Sequence, residues 1–249
     1  MPADVFSDLT DVYDALIDWE KRLKHEEPFY RRWFTEVSAR RVLDAACGSG
    51  RHAAMFHAWG LEVEGADLSP AMIARARQTF GEPEKLSWAV RAFEVPTAAE
   101  ESFDAAICVG NSLALAAGLA EVRQALAALA LAVRPGGVVL VQVLNFHAIT
   151  EGPCLWQKCK RLEIERRGLV VVKGVHRTAT RGYVDLVVAP LDDPQAMQTE
   201  SAPLLILDDN QLAAAAADAE LRDLQFFGGY RDQPYERTSS TDLVMVARK

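Results

Sequence analysis

The sequence predicts an α/β protein with a doubly wound, mainly parallel sheet covered by helices on both faces. Two observations carry this prediction. Short apolar runs of strand length alternate with segments of helical periodicity across residues 41–143, and glycine or proline marks most of the changes between them. Of the 249 residues, 50% are hydrophobic and 25% are charged, which is typical of a globular chain that buries a sizeable core.

The elements follow in order from the N-terminus. Apolar residues at helical spacing from Val12 to Leu23 predict a first helix, and Pro28 predicts the start of a second. The alternating region then predicts strands over residues 41–47, 61–67, 86–90, 103–109 and 138–143, with helices over 51–59, 69–80 and 119–133. The last predicted elements are a helix over 209–221 and strands over 224–227 and 243–247.

Residues 151–207 break this alternation. Three β-type runs, separated by Arg-Gly dipeptides, predict antiparallel strands over 162–165, 169–175 and 183–188. The chain therefore divides into N-terminal helices, a core formed by two separate segments, and an antiparallel insertion, with expected bounds of 1–38, 39–150 with 208–249, and 151–207.

The charge, the hydropathy and the cysteine spacing of the chain limit the partners and the compartment that we expect for it. The chain has 27 Lys and Arg against 35 Asp and Glu, and this net charge of −8 disfavours nucleic acid and anionic membranes as general partners. No apolar stretch reaches the roughly 18 residues of a membrane span, and residues 1–10 lack the basic start of a secretory signal. The four cysteines match no zinc spacing, so we expect reduced thiols, no metal and a cytoplasmic protein.

A glycine-rich turn follows the first predicted strand. Its sequence, Gly48-Ser49-Gly50, lets a ligand approach the backbone at the carboxyl edge of the sheet, where open α/β sheets bind ligands. Asp67 ends the second strand, 19 positions after Gly48, where a carboxylate can accept both hydroxyl groups of a ribose. The pattern therefore predicts a nucleoside-containing cofactor.

Asp44 discriminates between the possible cofactors. The run from Gly48 to Ala53 fits the dinucleotide fingerprint, but a buried carboxylate just before the turn repels a pyrophosphate. A ligand that carries an ammonium group and a sulfonium is attracted instead, which favours S-adenosylmethionine. Two alternatives stay open, an NAD-dependent oxidoreductase and a non-catalytic cofactor-binding protein of the same fold.

Four elements together resemble the class I S-adenosylmethionine-dependent methyltransferases. They are residues 44–50, Asp67, residues 103–108 and the Arg-Pro-Gly-Gly turn at 134–137. The resemblance implies a Rossmann-like seven-stranded sheet of order 3-2-1-4-5-7-6 with an antiparallel last strand. It also implies S-adenosylmethionine as methyl donor and S-adenosylhomocysteine as product.

Finer features are similar to the glycine and sarcosine N-methyltransferases and their small-molecule relatives. These features are residues 109–113, Asn145-Phe146 and the β insertion. The His-Arg-Asn-Tyr stretch of that group aligns with Val143-Leu144-Asn145-Phe146, so its His and Arg are replaced here. The resemblance implies a small-molecule acceptor, with an amine nitrogen favoured over oxygen. It makes the N-terminal helices a lid and gives the insertion a substrate, lid or homodimer role.

The resemblance also implies roles for individual residues. Asp44 is expected to orient the methionine amine, Asp67 to hold the ribose, and Arg22 to bind the methionine carboxylate. The full set of expected cofactor contacts is Asp44, Ala46, Gly48, Gly50, Asp67, Leu68, Ala92, Phe93, Val109 and Arg22. Catalytic roles are expected for Asn111, Tyr13 and His147, and substrate contacts for Asn145, Arg177 and Arg181.

Overall fold

The computed structural model describes residues 10–98, 100–164 and 166–249. In chain order the helices are α1 (Thr10–Leu16), α2 (Trp19–Glu36), α3 (Arg51–Ala58), α4 (Pro70–Phe80), α5 (Leu119–Ala132) and α6 (Asp209–Asp218). The strands are β1 (Arg41–Ala45), β2 (Glu62–Asp67), β3 (Leu86–Val90), β4 (Phe103–Cys108), β5 (Val133–Leu144), β6 (Leu155–Ile164), β7 (Arg167–Arg177), β8 (Gly182–Pro190), β9 (Gln198–Leu204), β10 (Arg222–Phe227) and β11 (Asp242–Arg248).

The main sheet has seven strands in the order β10-β11-β5-β4-β1-β2-β3. Strands β1 to β5 pair in parallel, whereas β11 runs antiparallel to both β5 and β10. This is the predicted order 3-2-1-4-5-7-6 with an antiparallel last strand, and the predicted fold class is therefore confirmed. All parallel strands end at one edge, which brings the loops after β1, β2, β3 and β4 together.

Helices cover both faces of this sheet, as its apolar strands require. Alternate residues of β5 point to opposite faces, and Leu140 and Val141 belong to different hydrophobic clusters. The cluster on one face contains apolar residues of α5 and α6, and the cluster on the other contains those of α2, α3 and α4. Val42, Leu43 and Ala45 of β1 are all buried because neither side of the strand faces water.

The insertion forms a separate four-stranded antiparallel sheet, ordered β6-β7-β8-β9. Its inner face packs Val171, Leu186 and Val188 against Val12 and Leu16 of α1. Two details differ from the expectation: β6 begins at Leu155, and β9 was not predicted at all. The β9 sequence is polar and contains Pro203, so its strand conformation depends on pairing with β8 at the edge of the sheet.

The prediction that Pro28 starts a helix is wrong. Pro28 lies inside α2, and the break between the two N-terminal helices falls at Ile17-Asp18, where Asp18 accepts a hydrogen bond from the backbone of Lys21. An internal proline costs about 3 kcal/mol. Burial of Phe29 and Trp33 on the same helix offsets that cost, at about 2 kcal/mol for each large apolar side chain.

No helix among the described residues combines the length and the apolar character needed to cross a bilayer.

Candidate functional site

The loop after β1 is a left-handed turn that opens a ligand cradle. Ala46, Gly48 and Gly50 all have positive φ angles, of 61°, 55° and 81°. A side chain at Gly50 would collide with the Trp88 ring at 2.4 Å, whereas a side chain at Gly48 would meet no atom of the described residues within 4 Å. The two glycines thus have different roles: Gly50 permits close packing, and Gly48 borders open space.

Asp67 fixes the loop from the neighbouring strand. Its carboxylate accepts hydrogen bonds from the backbone of Gly48 at 2.8 Å and of Ser69 at 2.9 Å. Leu68, next in the chain, exposes 49% of its surface. The loop after β3 starts beside it, because the backbone of Arg91 donates to the Asp67 carbonyl at 2.9 Å.

Ala92 and Phe93 follow in the loop after β3. Phe93 is half-buried and packs on the hydrophobic cluster that contains Leu43. The backbone of Val95 donates to the Ala92 carbonyl at 3.1 Å, which forms a turn directly after the strand. Ala92, Phe93 and Leu68 therefore stand on adjacent loops at the carboxyl edge, a suitable arrangement for an adenine ring.

Asp44 is a buried carboxylate with an incomplete hydrogen-bond set. Only 1% of the residue is exposed, and the backbone of Ala53 donates one hydrogen bond to it. The second oxygen, Oδ2, has no hydrogen-bond partner among the described residues. Burial, together with the charge of Asp67, raises the pKa of Asp44 to about 8. A cationic group bound beside Oδ2 would stabilise the ionised form.

Helix α1 is attached to the glycine loop through Asp14. This buried carboxylate accepts hydrogen bonds from Ser49 Oγ at 2.7 Å, Arg51 Nη2 at 2.6 Å and Trp19 Nε1 at 2.7 Å. Although burial raises it, the hydrogen bonds from Arg51 and Ser49 lower the pKa of Asp14 below its usual value. The carboxylate is thus ionised at neutral pH and joins the N-terminal helices to the cradle.

Arg22 of α2 reaches the end of β4. Its guanidinium lies 3.8 Å from the position that a side chain at Gly110 would occupy, and its Nε donates to Glu26 at 2.8 Å. Glu26 also hydrogen-bonds His52 of α3 at 2.7 Å. Burial acts to raise the pKa of Glu26, but His52 and Arg22 lower it to about 2. This buried network holds Arg22 at the carboxyl edge of the sheet.

Hydrogen bonds to β5 fix the loop that follows β4. Gln142 Oε1 accepts from the backbones of Gly110 at 2.8 Å and Asn111 at 3.2 Å. Asn111 has a positive φ of 75°, and its Oδ1 accepts from the backbone of Leu144 at 2.9 Å. Val109, just before this loop, is buried at the end of the strand. The loop therefore presents Asn111 from a rigid turn.

Asn145, an expected substrate contact, uses its side chain for hydrogen bonds within the protein. Its Nδ2 donates to the carbonyls of Arg237 and Ser240, and its Oδ1 accepts from the backbone of His147 and from the Tyr235 hydroxyl. Both donor hydrogens and both acceptor positions of the amide are used. Asn145 is also buried, so its observed role is to secure the loop before β11.

Of the other predicted substrate and catalytic residues, His147 and Arg177 lie close to the same loop, whereas Arg181 and Tyr13 belong to other segments. His147 Nε2 lies 3.3 Å from Arg237, and burial together with the Arg237 charge lowers the pKa of His147. Arg177 donates to the Phe146 carbonyl at 3.2 Å, which commits part of its guanidinium to the protein. Arg181 lies in the turn between β7 and β8. Tyr13 falls within α1, but its side chain lies outside the described part of the chain.

Sequence reasoning missed Asp14 and Lys173. Asp14 has no local signal, because its partner Ser49 is 35 residues away. Lys173 did have one, since it interrupts an apolar run at a position of β7 that faces the core side. Burial and the nearby charges of Lys158 and Arg22 lower its pKa. Lys173 is half-buried, on the same face of β7 as Val171 and Val175.

The fold and the site define a class of protein. A sheet of this order that carries an acid and a glycine loop after β1, and a second acid after β2, is the arrangement that the resemblance to class I S-adenosylmethionine-dependent methyltransferases implied. Comparison with known families agrees: residues 42–137 match the model of a methyltransferase domain.

Proteins of similar sequence are named as glycine or glycine/sarcosine N-methyltransferases. The chain is 33% identical over 151 residues to a glycine/sarcosine N-methyltransferase of Parasynechococcus marenigrum (strain WH8102), a match that covers 58% of this chain and 52% of that protein. It is 32% identical over 144 residues to glycine N-methyltransferase of Homo sapiens, covering 50% of this chain and 49% of that protein. The chain thus spans about half the length of the relatives it matches.

Solved structures share nearly the whole fold. An amino pentose methyltransferase from Micromonospora echinaspora with bound S-adenosylmethionine superposes with a TM-score of 0.74 at 23% identity, covering 96% of this chain and 97% of that one. A sugar N-methyltransferase from Streptoalloteichus sp. ATCC 53650 gives 0.72 at 24% identity, covering 90% and 87%. Residues 42–137 thus match a methyltransferase domain, and the fold shared with known methyltransferase structures extends over nearly the whole chain.

Proposed function

We propose that this chain transfers a methyl group from S-adenosylmethionine to an amine nitrogen of a small molecule. The observation that carries the proposal is Oδ2 of buried Asp44, which lacks a hydrogen-bond partner among the described residues and precedes the glycine loop. A buried carboxylate oxygen without a partner is costly, and a ligand with a cationic amine removes that cost. An ionised Asp44 would repel a pyrophosphate bound at the same loop, which weighs against the NAD alternative.

The residues of the cradle fit the parts of this cofactor. Asp44 would hold the methionine amine and Arg22 its carboxylate, while Asp67 would bind the ribose hydroxyls. The adenine would lie between exposed Leu68 and the Ala92-Phe93 loop. When bound, the cofactor supplies a methyl group made electrophilic by its attachment to a positively charged sulfur.

The protein contributes alignment and exclusion of water. Asn111, held after β4 by its hydrogen bond with the backbone of Leu144, would contact the acceptor as it approaches in line with the methyl group. Helix α1, attached to Ser49 and Arg51 through Asp14, would act as a lid over the cofactor. His147, whose pKa is lowered, would be neutral near pH 7 and able to take the proton released by an amine.

A further observation supports an amine acceptor. The relatives and structures named above are N-methyltransferases or an amino pentose methyltransferase. We therefore expect amines to be better acceptors than hydroxyl compounds of the same shape.

Calorimetric titration with S-adenosylmethionine, S-adenosylhomocysteine and NAD tests the cofactor assignment. The proposal requires binding of the first two and none of NAD, and tight NAD binding would overturn it. Amines and their hydroxyl analogues are then compared by the S-adenosylhomocysteine released. Turnover of the hydroxyl analogues alone would contradict the nitrogen assignment. If the cofactor binds but no compound in either series is methylated, the non-catalytic alternative gains support.

Asn111→Ala tests the positioning role. The Asn111 side chain hydrogen-bonds the backbone of Leu144, whereas Asp44 and Asp67 are the acids proposed to hold the cofactor. The variant should therefore lower turnover at least tenfold while the cofactor Kd changes less than threefold. Calorimetry and initial-rate kinetics on one preparation separate the two effects. A loss of cofactor affinity without a loss of turnover at saturation would refute the role.

A further inference from the structure

A cluster of three metal-ligating side chains lies away from the cradle, on the insertion sheet. Cys154 precedes β6, His176 lies on β7 and Asp185 lies on β8. Their Sγ, imidazole nitrogen and carboxylate oxygen all lie within 4.8 Å of one another. The three residues are half-buried, so an ion could enter from solvent and still be partly shielded.

The register of the strands creates this cluster. His176 pairs with Tyr183, and Gly174 pairs with Asp185, so His176 and Asp185 share the face opposite Val175 and Leu186. That face points away from α1, whose contacts are with the inner face. Gly174 is required here, because a side chain at this position would come within 2.3 Å of the Cys154 sulfur.

Neighbouring groups hold the three ligands in place. The Tyr183 ring stacks on the His176 imidazole at 4.5 Å with an interplanar angle of 3°. Ser201 on β9 donates a hydrogen bond to Asp185 Oδ1 at 2.6 Å, while Asp185 Oδ2 hydrogen-bonds His176 Nδ1. Such outer contacts orient the ligands in known metal sites.

We propose that Cys154, His176 and Asp185 bind one zinc-type divalent transition-metal ion, with water in the fourth position. Thiolate, imidazole and carboxylate are the ligands that Zn²⁺ takes in proteins, and three ligands with an open position give a tetrahedral shell. A hard cation such as Mg²⁺ is disfavoured by the sulfur and nitrogen donors. As the metal–sulfur bond forms, the thiol proton passes to water, and no oxidant or reductant is needed.

The same three residue types also form nucleophilic triads, but the geometry here is different. The Cys154 thiol hydrogen-bonds Asp185, and the imidazole nitrogen is likewise paired with Asp185, so the imidazole is not placed to remove the sulfur's proton. Burial and the Asp185 carboxylate raise the pKa of Cys154 to about 11, the opposite of an activated nucleophile.

The position of the ion would give it a structural role. The backbone of Gly152 donates to the Arg177 carbonyl at 3.2 Å, so the segment before Cys154 already runs along β7. Arg177 in turn contacts the Phe146 carbonyl after β5. An ion at this place would join the chain leaving the main sheet to two strands of the insertion.

Metal binding to the purified full chain tests the proposal. Protein stripped with chelator is titrated with Zn²⁺ against a chromophoric chelator, and with Co²⁺ followed by its thiolate charge-transfer absorption. We expect one equivalent to bind, no competition by excess Mg²⁺, and a higher Tm with Zn²⁺. Cys154→Ser and His176→Gln should each weaken binding at least tenfold, and Cys154→Ser should abolish the thiolate band.

Cys159→Ser is the matched control. Cys159 is a free, exposed cysteine on β6, five positions along the chain, and its removal should leave affinity and absorption unchanged. Cofactor titration and circular dichroism of each variant verify the fold. The proposal is overturned if the unmodified chain binds no Zn²⁺, if Cys154→Ser and His176→Gln bind as tightly as it does, or if Cys159→Ser loses binding equally.

Discussion

Replacing Asp44 with asparagine should stabilise the cofactor-free protein at alkaline pH while removing cofactor binding. In the folded chain burial raises the pKa of Asp44 from 3.8 to about 8. The folded state therefore takes up a proton relative to the unfolded chain between these values. Below pH 3.8 the Asp44 carboxyl is protonated in both states and does not affect the free energy of unfolding. As the pH rises from 3.8 towards 8, the carboxyl ionises more readily in the unfolded chain, so the free energy of unfolding decreases.

The magnitude follows from the shift. Each pKa unit corresponds to about 1.36 kcal/mol, so the penalty is about 2 kcal/mol at a pH of about 5.5 and about 5 kcal/mol at a pH of about 8.5. The asparagine side chain has the same shape as the aspartate, can keep the hydrogen bond from Ala53 and cannot ionise. The difference in unfolding free energy between variant and parent should therefore grow by about 3 kcal/mol between these two pH values.

Denaturant unfolding at the two pH values, with calorimetric titration of S-adenosylmethionine, measures both effects. The parent's affinity should rise with pH up to about 8, since the ligand amine favours ionised Asp44, and the variant should show weak, pH-independent binding. A variant that is less stable than the parent at the higher pH, or that binds the cofactor like the parent, would refute the assignment of Asp44.

Asp104→Asn is the matched control at the opposite edge of the sheet. Asp104 begins β4 and accepts hydrogen bonds from the backbones of Arg40 and Arg41 and from Arg134 Nε, at 2.7, 2.9 and 2.6 Å. Burial raises its pKa, but these donors lower it overall, so its ionised form stabilises the fold above its unfolded pKa. The variant should lose about 2 kcal/mol at both pH values and keep its cofactor affinity.

Four further substitutions separate ligand contacts from packing. Gly48→Ala should cost about 1 kcal/mol through its positive φ yet raise the cofactor Kd at least tenfold, whereas Gly50→Ala should mainly lower stability through its clash with Trp88. Asp14→Ala should raise the cofactor Kd about tenfold by releasing α1, and an unchanged Kd in calorimetry would disprove the attachment. Asn145→Ala should lower the unfolding free energy by about 3 kcal/mol without a selective change in acceptor KM, and the reverse result would restore a substrate role.

The main sheet was predictable because its signals are local. Strands buried on both faces, such as β1 and β5, are rich in apolar residues, and glycine or Ser-Pro marks where helices end or begin. Positions at strand ends then identify Asp44 and Asp67 from the sequence. The N-terminal break was misplaced because burial of Phe29 and Trp33 overrides the local preference of Pro28.

Features that depend on register or on distant pairing were not predictable. Cys154, His176 and Asp185 come from three separate segments and are brought together only by the pairing of β7 with β6 and β8. A shift of one residue in the β7 register would turn His176 to the inner face of the sheet, so the cluster depends on a register that the sequence does not reveal. Cysteine spacing is therefore uninformative here, although it is a good signal when zinc ligands lie on one short loop. The same holds for Asp14, whose partners Ser49 and Arg51 lie 35 and 37 positions away along the chain.

The acids around the cradle divide into two groups by how well their charge is compensated. Asp14 and Glu26 are surrounded by donors and cations, which lower their pKa values despite burial, so they serve the structure. For Asp44 and Asp242 burial prevails and raises the pKa values, to about 8 and about 6. Uncompensated charge at the edge where ligands bind is costly to the folded protein alone and becomes favourable when a cation arrives. Binding of a cationic cofactor thus removes the destabilisation that Asp44 causes in the empty protein. Selectivity for a cationic cofactor is therefore a consequence of the fold.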